Sequence, residues 1–243
     1  MLTAWYAIRS LVFYAGYALI VIQQSLGSLL AWPLLPYEWF RRYMLSGCHL
    51  AVWWARVSCG IRYEVIGIEN IPSTPCVVLS KHQSAWETLF LQTWLQPATT
   101  VAKRELLRIP FFGWGMALMK PIAINRARPA QALKQVIHQG IARLREGYRV
   151  IIFPEGTRTL PGEQREYSAG GAMLAVKAQV PVLPVALNSG DCWPRGTLIK
   201  RPGVIRVVFG PLIKPDGLNA KALTERARAW IESAAGPRQG SAE

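Results

Sequence analysis

Between Arg9 and Glu38 the chain carries no formal charge, and its hydrophobic positions run almost unbroken from Leu11 to Ile22. As one continuous helix the uncharged interval would extend about 42 Å, more than the roughly 30 Å of a bilayer hydrocarbon core. The run changes character part-way, because Gln23, Gln24 and Ser25 are polar and Gly27, Pro33 and Pro36 disturb the remainder of the interval. Spanning the bilayer and lying in its interface are both compatible with this pattern, and a buried soluble helix is the bland alternative. The stretch is too long for the core of a secretory leader and lacks a small-residue cleavage site, which predicts a retained anchor. After it, Trp39, Phe40, Tyr43, Trp53 and Trp54 interleave with Arg41, Arg42 and Arg56. That mixture suits headgroup depth, where rings and cations sit side by side, and predicts a second, interfacial helix. If the first segment spans, the arginines after it outnumber Arg9 before it and place the rest of the chain in the cytoplasm.

From Ile61 onward the pattern changes to short β-branched runs separated by helical periodicity, the signature of an α/β domain. Strands are expected at 63–66, 76–79, 99–102, 150–153, 180–187 and 204–209, with helices between several of them. The clearest helix covers 131–146: Leu133, Val136, Ile137, Ile141 and Leu144 fall on one stripe and Gly147 follows as a stop. Residues 219–234 repeat the pattern with alternating charges. The expected organisation is a helical membrane-anchoring motif over 1–60, an α/β domain over 61–235 and a flexible Gly/Pro/Ser tail over 236–243.

Composition sharpens this picture. The 243 residues are 51% hydrophobic and only 17% charged, with ten tryptophans and a mean hydropathy of +0.17, which excludes a disordered chain and predicts contact with lipid. Lysine and arginine number 28 against 14 acids, a net charge of +14, so the partner is expected to be anionic. Asp191 and Asp216 are the only aspartates, and no His/Cys/carboxylate group has metal-ligand spacing, so metal-free chemistry is expected. Cys48, Cys59, Cys76 and Cys192 are scattered without a Cys-x-x-Cys pair and read as buried or lipid-facing free thiols.

Ser80-Lys81-His82-Gln83-Ser84-Ala85-Trp86-Glu87 directly follows an apolar strand and precedes an apolar helical stretch, so His82 falls at a strand end, where α/β proteins place chemistry. Five residues along one helix would turn Glu87 about 140° from His82. The two can meet only if His82 lies ahead of the helix. In that arrangement the carboxylate fixes the imidazole tautomer and leaves the other ring nitrogen as a general base, suited to removing a proton from an alcohol.

A second constellation, Phe153-Pro154-Glu155-Gly156-Thr157-Arg158-Thr159, forms a polar turn after the next buried-looking strand. Gly156 permits close backbone approach. Arg158 offers a fork matched to phosphate oxygens, the hydroxyls of Thr157 and Thr159 add donors, and Glu155 can accept from a substrate hydroxyl or hold an arginine in place. Third, Lys103 and Arg126 each end an apolar strand-like run, in a stretch where Lys103, Arg104, Arg108, Lys120, Arg126 and Arg128 face Glu105 alone. Arg104 and Arg128 read as solvated. Fourth, the run 180–187 contains Pro181 and Pro184, which forbid a regular helix and an uninterrupted central strand. It reads equally as acyl-channel lining or plain core.

Taken together, and in this order, the His82-x4-acid block, Arg126 closing its apolar run, Phe-Pro-Glu-Gly-Thr-Arg from 153 and Val-Pro-Val-Leu-Pro-Val from 180 resemble the glycerolipid acyltransferase family, over about residues 76–190. Order and spacing look most like the members that acylate 1-acylglycerol-3-phosphate. The resemblance implies a mixed sheet flanked by helices, behind an N-terminal two-helix membrane motif as in some bacterial members. It implies transfer of a fatty acyl group from acyl-CoA or acyl carrier protein to the sn-2 hydroxyl of lysophosphatidic acid, giving phosphatidic acid at the cytoplasmic face of the inner membrane, with no cofactor beyond the donor. His82 is then the base and Glu87 its orienter, although the family usually has aspartate there and this arm is one methylene longer. Arg126, Glu155, Gly156 and Arg158 match acceptor-binding positions. Thr157 joins them from the turn's chemistry, and Lys103 from charge placement. Lys81 stands where many members have asparagine, which would bring another cation toward substrate phosphate. Alternatives are a different lysophospholipid or a lipid A precursor as acceptor, or a non-catalytic protein binding anionic lipid. Nucleic-acid binding is favoured by charge alone and opposed by the uncharged N-terminal run, and a P-loop is absent from the sequence.

Overall fold

The computed structural model describes residues 2–110, 112–125 and 127–235. The tail expected at 236–243 lies outside the described residues, as does Arg126.

Helix α1 (Leu2–Ala31) is continuous through the polar Gln23-Gln24-Ser25 segment and Gly27. The expected break comes only at Pro33 and Pro36, in the turn before α2 (Tyr37–Cys59). The polar residues explain themselves by packing. Gln24, Ser25 and Ser28 are buried, and Gln24 Nε2 donates to Ser46 Oγ at 3.2 Å. The helices pack antiparallel and close. Gly16 lies under Trp54, where a Cβ would come within 2.3 Å of the indole nitrogen, and that nitrogen donates to the Phe13 carbonyl at 3.0 Å. Leu11, Leu19, Ile22, Leu26 and Leu30 of α1, and Trp39, Leu50, Trp53 and Val57 of α2, point outward and stay exposed. Among the described residues α1 alone is long and apolar enough to cross a membrane. Helix α2 carries both rings and cations on its surface, with Arg42 placed over the Trp39 ring at 5.1 Å. It ends at Gly60, whose φ of +73° turns the chain into the sheet.

The strands are β1 (Ile61–Ile66), β2 (Val77–Ser80), β3 (Ala98–Lys103), β4 (Ile122–Ile124), β5 (Arg149–Ile152), β6 (Val182–Leu187) and β7 (Gly203–Phe209). They form one seven-stranded sheet in the order β1-β7-β6-β2-β5-β3-β4. The block from β6 to β4 is parallel. β7 meets β6 antiparallel and carries β1 beside it in parallel, which makes the sheet mixed. Helices α3 (Trp86–Trp94), α4 (Phe112–Leu118), α5 (Pro129–Arg145), α6 (Gly170–Ala178) and α7 (Ala220–Ala235) complete the fold. Alternation along β2 divides two cores. Cys76 and Val78 face the hairpin and α3 with Trp86, Phe90 and Phe13. Val77 and Leu79 face α5, α6 and α7 with Val136, Leu174 and Ile231. The stripe expected at 131–146 is the buried side of α5, and Gly147 takes the turn after it at φ +89°.

The run 180–187 forms a strand whose pairing is interrupted at proline, as expected. Pro184 sits inside β6, between two other strands, and is tolerated because pairing is interrupted there. Val182 pairs with Ile213 and Val185 with Phe209, so two residues of β6 face three of the returning chain. Pro184 accepts from Gly210 N at 2.9 Å through its carbonyl, and its missing N–H falls in the irregular gap. Every residue of β6 is buried, between the two cores.

Candidate active site

His82 emerges just past the end of β2, in the non-helical segment ahead of α3. Glu87 lies in the first turn of α3, so the geometric condition for their meeting is fulfilled. His82 Nδ1 lies 2.9 Å from Glu87 Oε1. The same oxygen accepts from the amides of Gln83 and Ser84, each at 2.7 Å, while Oε2 accepts from Ser84 Oγ at 2.5 Å and Ser189 Oγ at 2.7 Å. Ser84-Ala85-Trp86-Glu87 thus behaves much like a capping box, the acid reaching back to the serine amide at the helix entry. The longer glutamate arm spans this reach. The carboxylate is fully buried. Burial alone would raise its pKa, but the hydrogen bond and charge of His82 and the bonds from Ser84 outweigh it and hold the carboxyl below its ordinary value. The imidazole stacks on Phe153, centroids 4.1 Å apart, which constrains the ring plane; with Nδ1 engaged by Glu87, Nε2 is the other ring nitrogen, and His82 lines the adjoining cavity.

Strand order explains why the second motif arrives here. β5 pairs with β2 in parallel, Leu79 opposite Ile152, so the loops after both strands leave the sheet side by side. Thr159 N donates to the His82 carbonyl at 2.8 Å, and Glu155 Oε2 accepts from His82 N at 2.7 Å. Glu155 therefore turns inward. Its other oxygen lies 2.9 Å from Lys81 Nζ, both side chains being almost wholly buried. Burial pushes its carboxyl up, and Lys81, the His82 amide and Thr159 reverse this only in part. The carboxylate supports the His82 backbone and holds a lysine, rather than an arginine or a substrate hydroxyl. The expectation for Lys81 is corrected too. Its ammonium is buried against Glu155 and against Glu232 of α7 at 2.7 Å, and it donates to the Glu163 carbonyl at 3.1 Å. Its charge is taken up by two carboxylates, and it does not line the cavity beside His82. Gly156 has φ +70°, with open space where a Cβ would stand; its need is for backbone conformation.

A cavity of about 650 Å³ adjoins His82 and Phe153. Thr157, Arg158 and Lys103 line it together with His82, while Ile20, Val21, Met44 and Leu45 of the hairpin and Met116 and Met119 supply apolar wall. Of the expected site residues, His82, Lys103, Thr157 and Arg158 share this cavity. Glu87 and Glu155 stand behind it, Gly156 lies in the turn between, and Arg126 is outside the described residues.

Ser84, Ser189 and Glu232 join the site without having been expected from the sequence. The Ser-x-x-Glu spacing was a usable signal for Ser84. Ser189 had none, since it reaches Glu87 from 102 residues away. Ser189→Ala removes one donor and leaves Glu87 its other partners, so kcat is expected to fall by about 3- to 10-fold, the loss of one hydrogen bond of about 1 kcal/mol. Steady-state turnover at saturating substrate checks this, with threonine expected to restore part of the rate.

The profile of the family described as Acyltransferase matches residues 62–188. The chain is 48% identical over 229 residues to the 1-acyl-sn-glycerol-3-phosphate acyltransferase of Pseudomonas aeruginosa, covering 93% of this chain and 89% of that one. It is 35% identical over 174 residues to the enzyme of the same description from Borreliella burgdorferi, covering 70% of this chain and 68% of that one. The crystal structure of the 1-acyl-sn-glycerophosphate acyltransferase PlsC from Thermotoga maritima superposes with a TM-score of 0.82 over 100% of both chains at 23% identity, a likeness of fold. The matched segment begins in β1, ends just after β6 and contains the dyad and the Glu-Gly-Thr-Arg turn: this chain belongs to the acyltransferase family.

Proposed function

We propose that the protein transfers a fatty acyl group from a thioester to the sn-2 hydroxyl of 1-acylglycerol-3-phosphate, forming phosphatidic acid. The observation that carries this reading is the placing of His82, backed by Glu87, in one cavity with Arg158 and Lys103, part of whose wall is the apolar N-terminal hairpin. A phosphorylated acceptor with a lipid tail needs cations and an apolar wall within one molecule's reach.

In the reaction, Nε2 of His82 takes the proton of the acceptor hydroxyl as its oxygen attacks the thioester carbonyl carbon. A carbon–oxygen bond forms, the carbon–sulfur bond breaks, and the departing thiolate takes the proton from the imidazolium. The thioester is already activated, so positioning and proton removal carry the catalysis. Glu87 stabilises the imidazolium that forms between the two steps, and Arg158, with Thr157 and Lys103, holds the phosphate. Glu155 and Gly156 shape the turn that presents Arg158. Acyl-CoA and acyl carrier protein are both candidate donors, and no further cofactor is required.

The hairpin of α1 and α2 is the membrane anchor and 61–235 the catalytic domain. The exposed apolar residues of α1 and the ring-and-cation face of α2 support this division. The excess of arginines after α1 favours a site on the cytoplasmic face of the inner membrane. The test is an assay of the protein in vesicles with lysophosphatidic acid and labelled acyl-CoA or acyl carrier protein. Labelled phosphatidic acid is expected. Acylation of lysophosphatidylcholine or a lipid A precursor in its place would assign a different acceptor, and vesicle binding without thioester consumption would remove the enzymatic reading.

A further inference from the structure

The cavity beside His82 carries three cationic side chains, Lys103, Arg158 and Arg195, and no aspartate or glutamate is among the described residues that line it. All three are exposed, so solvent screens much of their mutual repulsion, and an anion bound among them would relieve the rest. Arg195 belongs to none of the motifs that mark the site. It stands in the segment that follows β6, yet its Nη1 donates to the backbone carbonyl of Arg158, which seats one guanidinium beside the turn that bears the other. The segment leading to it is anchored to the dyad. Ser189 Oγ donates to Glu87, and Gly190 N donates to Gln83 Oε1 at 3.0 Å. Trp193 N donates to the Ser189 carbonyl at 2.8 Å, and the Trp193 ring meets Phe13 of α1 edge-on at 4.9 Å. Glu163, a carboxylate within the field of Arg195, is engaged elsewhere, by Arg165 at 2.6 Å and the Leu160 amide at 2.8 Å.

We propose that Arg195 is a second phosphate-binding arginine of this site, acting with Arg158 across the Thr157–Arg158 turn. The proposal rests on the acyl-transfer reading above and adds a binding residue to it. The ligand chemistry is a phosphate oxygen, which a planar guanidinium fork matches better than a point charge. Both substrates offer one: the acceptor as a phosphomonoester, the donor through coenzyme A or phosphopantetheine.

The experiment compares the parent protein, Arg195→Ala and Arg195→Lys in vesicles with matched substrate pairs. One pair is lysophosphatidic acid and monoacylglycerol, the other acyl-CoA and the phosphate-free acyl-N-acetylcysteamine thioester. Arg195→Ala is expected to raise KM about 10-fold or more for one phosphate-bearing substrate and to change kcat by less than about 3-fold, with lysine recovering part of the loss. The affected pair identifies the source of the phosphate, and its phosphate-free member should be indifferent to the substitution. Unchanged KM for both phosphate-bearing substrates, or equal losses with and without phosphate, would overturn the proposal. Failure of the parent to form phosphatidic acid would instead strike at the acyl-transfer reading. Arg195 is then still tested by direct binding of short-chain lysophosphatidic acid and of coenzyme A, read by tryptophan fluorescence. Equal affinities of parent and Arg195→Ala for both would refute its role.

Discussion

Replacing His82 by alanine is expected to lower kcat for acyl transfer by about 10²- to 10⁴-fold, the usual contribution of a general base, while folding and vesicle binding stay close to the parent. The substitution removes the imidazole, its stacking on Phe153 and one of the five hydrogen bonds to Glu87. The backbone bonds of residue 82 to Glu155 and Thr159 do not need the ring. Glu87 keeps the amides of Gln83 and Ser84 and the hydroxyls of Ser84 and Ser189, so its buried charge stays solvated by donors. A loss confined to kcat, with the melting temperature held, marks His82 as chemical. Turnover within a few-fold of the parent would refute its assignment as the base.

The largest stability effect is expected at Lys81. Lys81→Met strips the buried carboxylate of Glu155 of its cation and leaves Glu232 of α7 with Tyr167. Breaking a buried charge pair from one side typically costs about 3–5 kcal/mol, which for a domain of this size lowers the melting temperature by about 6–20 °C. The deficit should depend on pH in a defined direction. Burial already raises the carboxyl of Glu155 even with Lys81 present, and removing the ammonium raises it further. A carboxyl whose folded value lies above its unfolded value is one whose charged form the fold disfavours, so the penalty is full above the raised value and shrinks as pH falls through it toward the unfolded value. Thermal denaturation of the variant across mildly acidic to neutral pH reads this, and Lys81→Met with Glu155→Gln should recover part of the loss. A pH-independent deficit, or none, would show that the network does not bear on the fold.

How far this could be read from the chain depended on distance along it. The hairpin is visible because α1 lacks charge over a membrane-length interval, although the polar Gln23-Gln24-Ser25 reads as a change of character that packing against α2, with Gln24 bonded to Ser46, explains. The stripe of α5 and the short β-branched strands were legible because their periods are local. His82, Glu87 and the 153–159 turn stood out because each follows a strand, and parallel pairing of β2 with β5 does the rest. Strand order cannot be read from spacing, however, so nothing announced that the segment after β6 would bring Ser189 to Glu87 and Arg195 to Arg158. Lys81 misled for the same reason. A lysine beside a catalytic histidine looks like a phosphate ligand until its carboxylate partner, 151 residues away on α7, is known. Pro184 was legible locally, since proline in a central strand demands irregular pairing and the ladder from β6 to the returning chain is interrupted there.

For acyl transfer to occur in this cavity, one acceptor molecule must meet Arg158 and His82 at once. A structure of the protein with bound lysophosphatidic acid tests it most directly. The phosphate is expected on the Arg158 guanidinium, the free hydroxyl within about 3 Å of His82 Nε2, and the acyl chain against the hairpin wall. A phosphate seated in another cavity, or a hydroxyl turned away from His82 while the phosphate occupies Arg158, would contradict it.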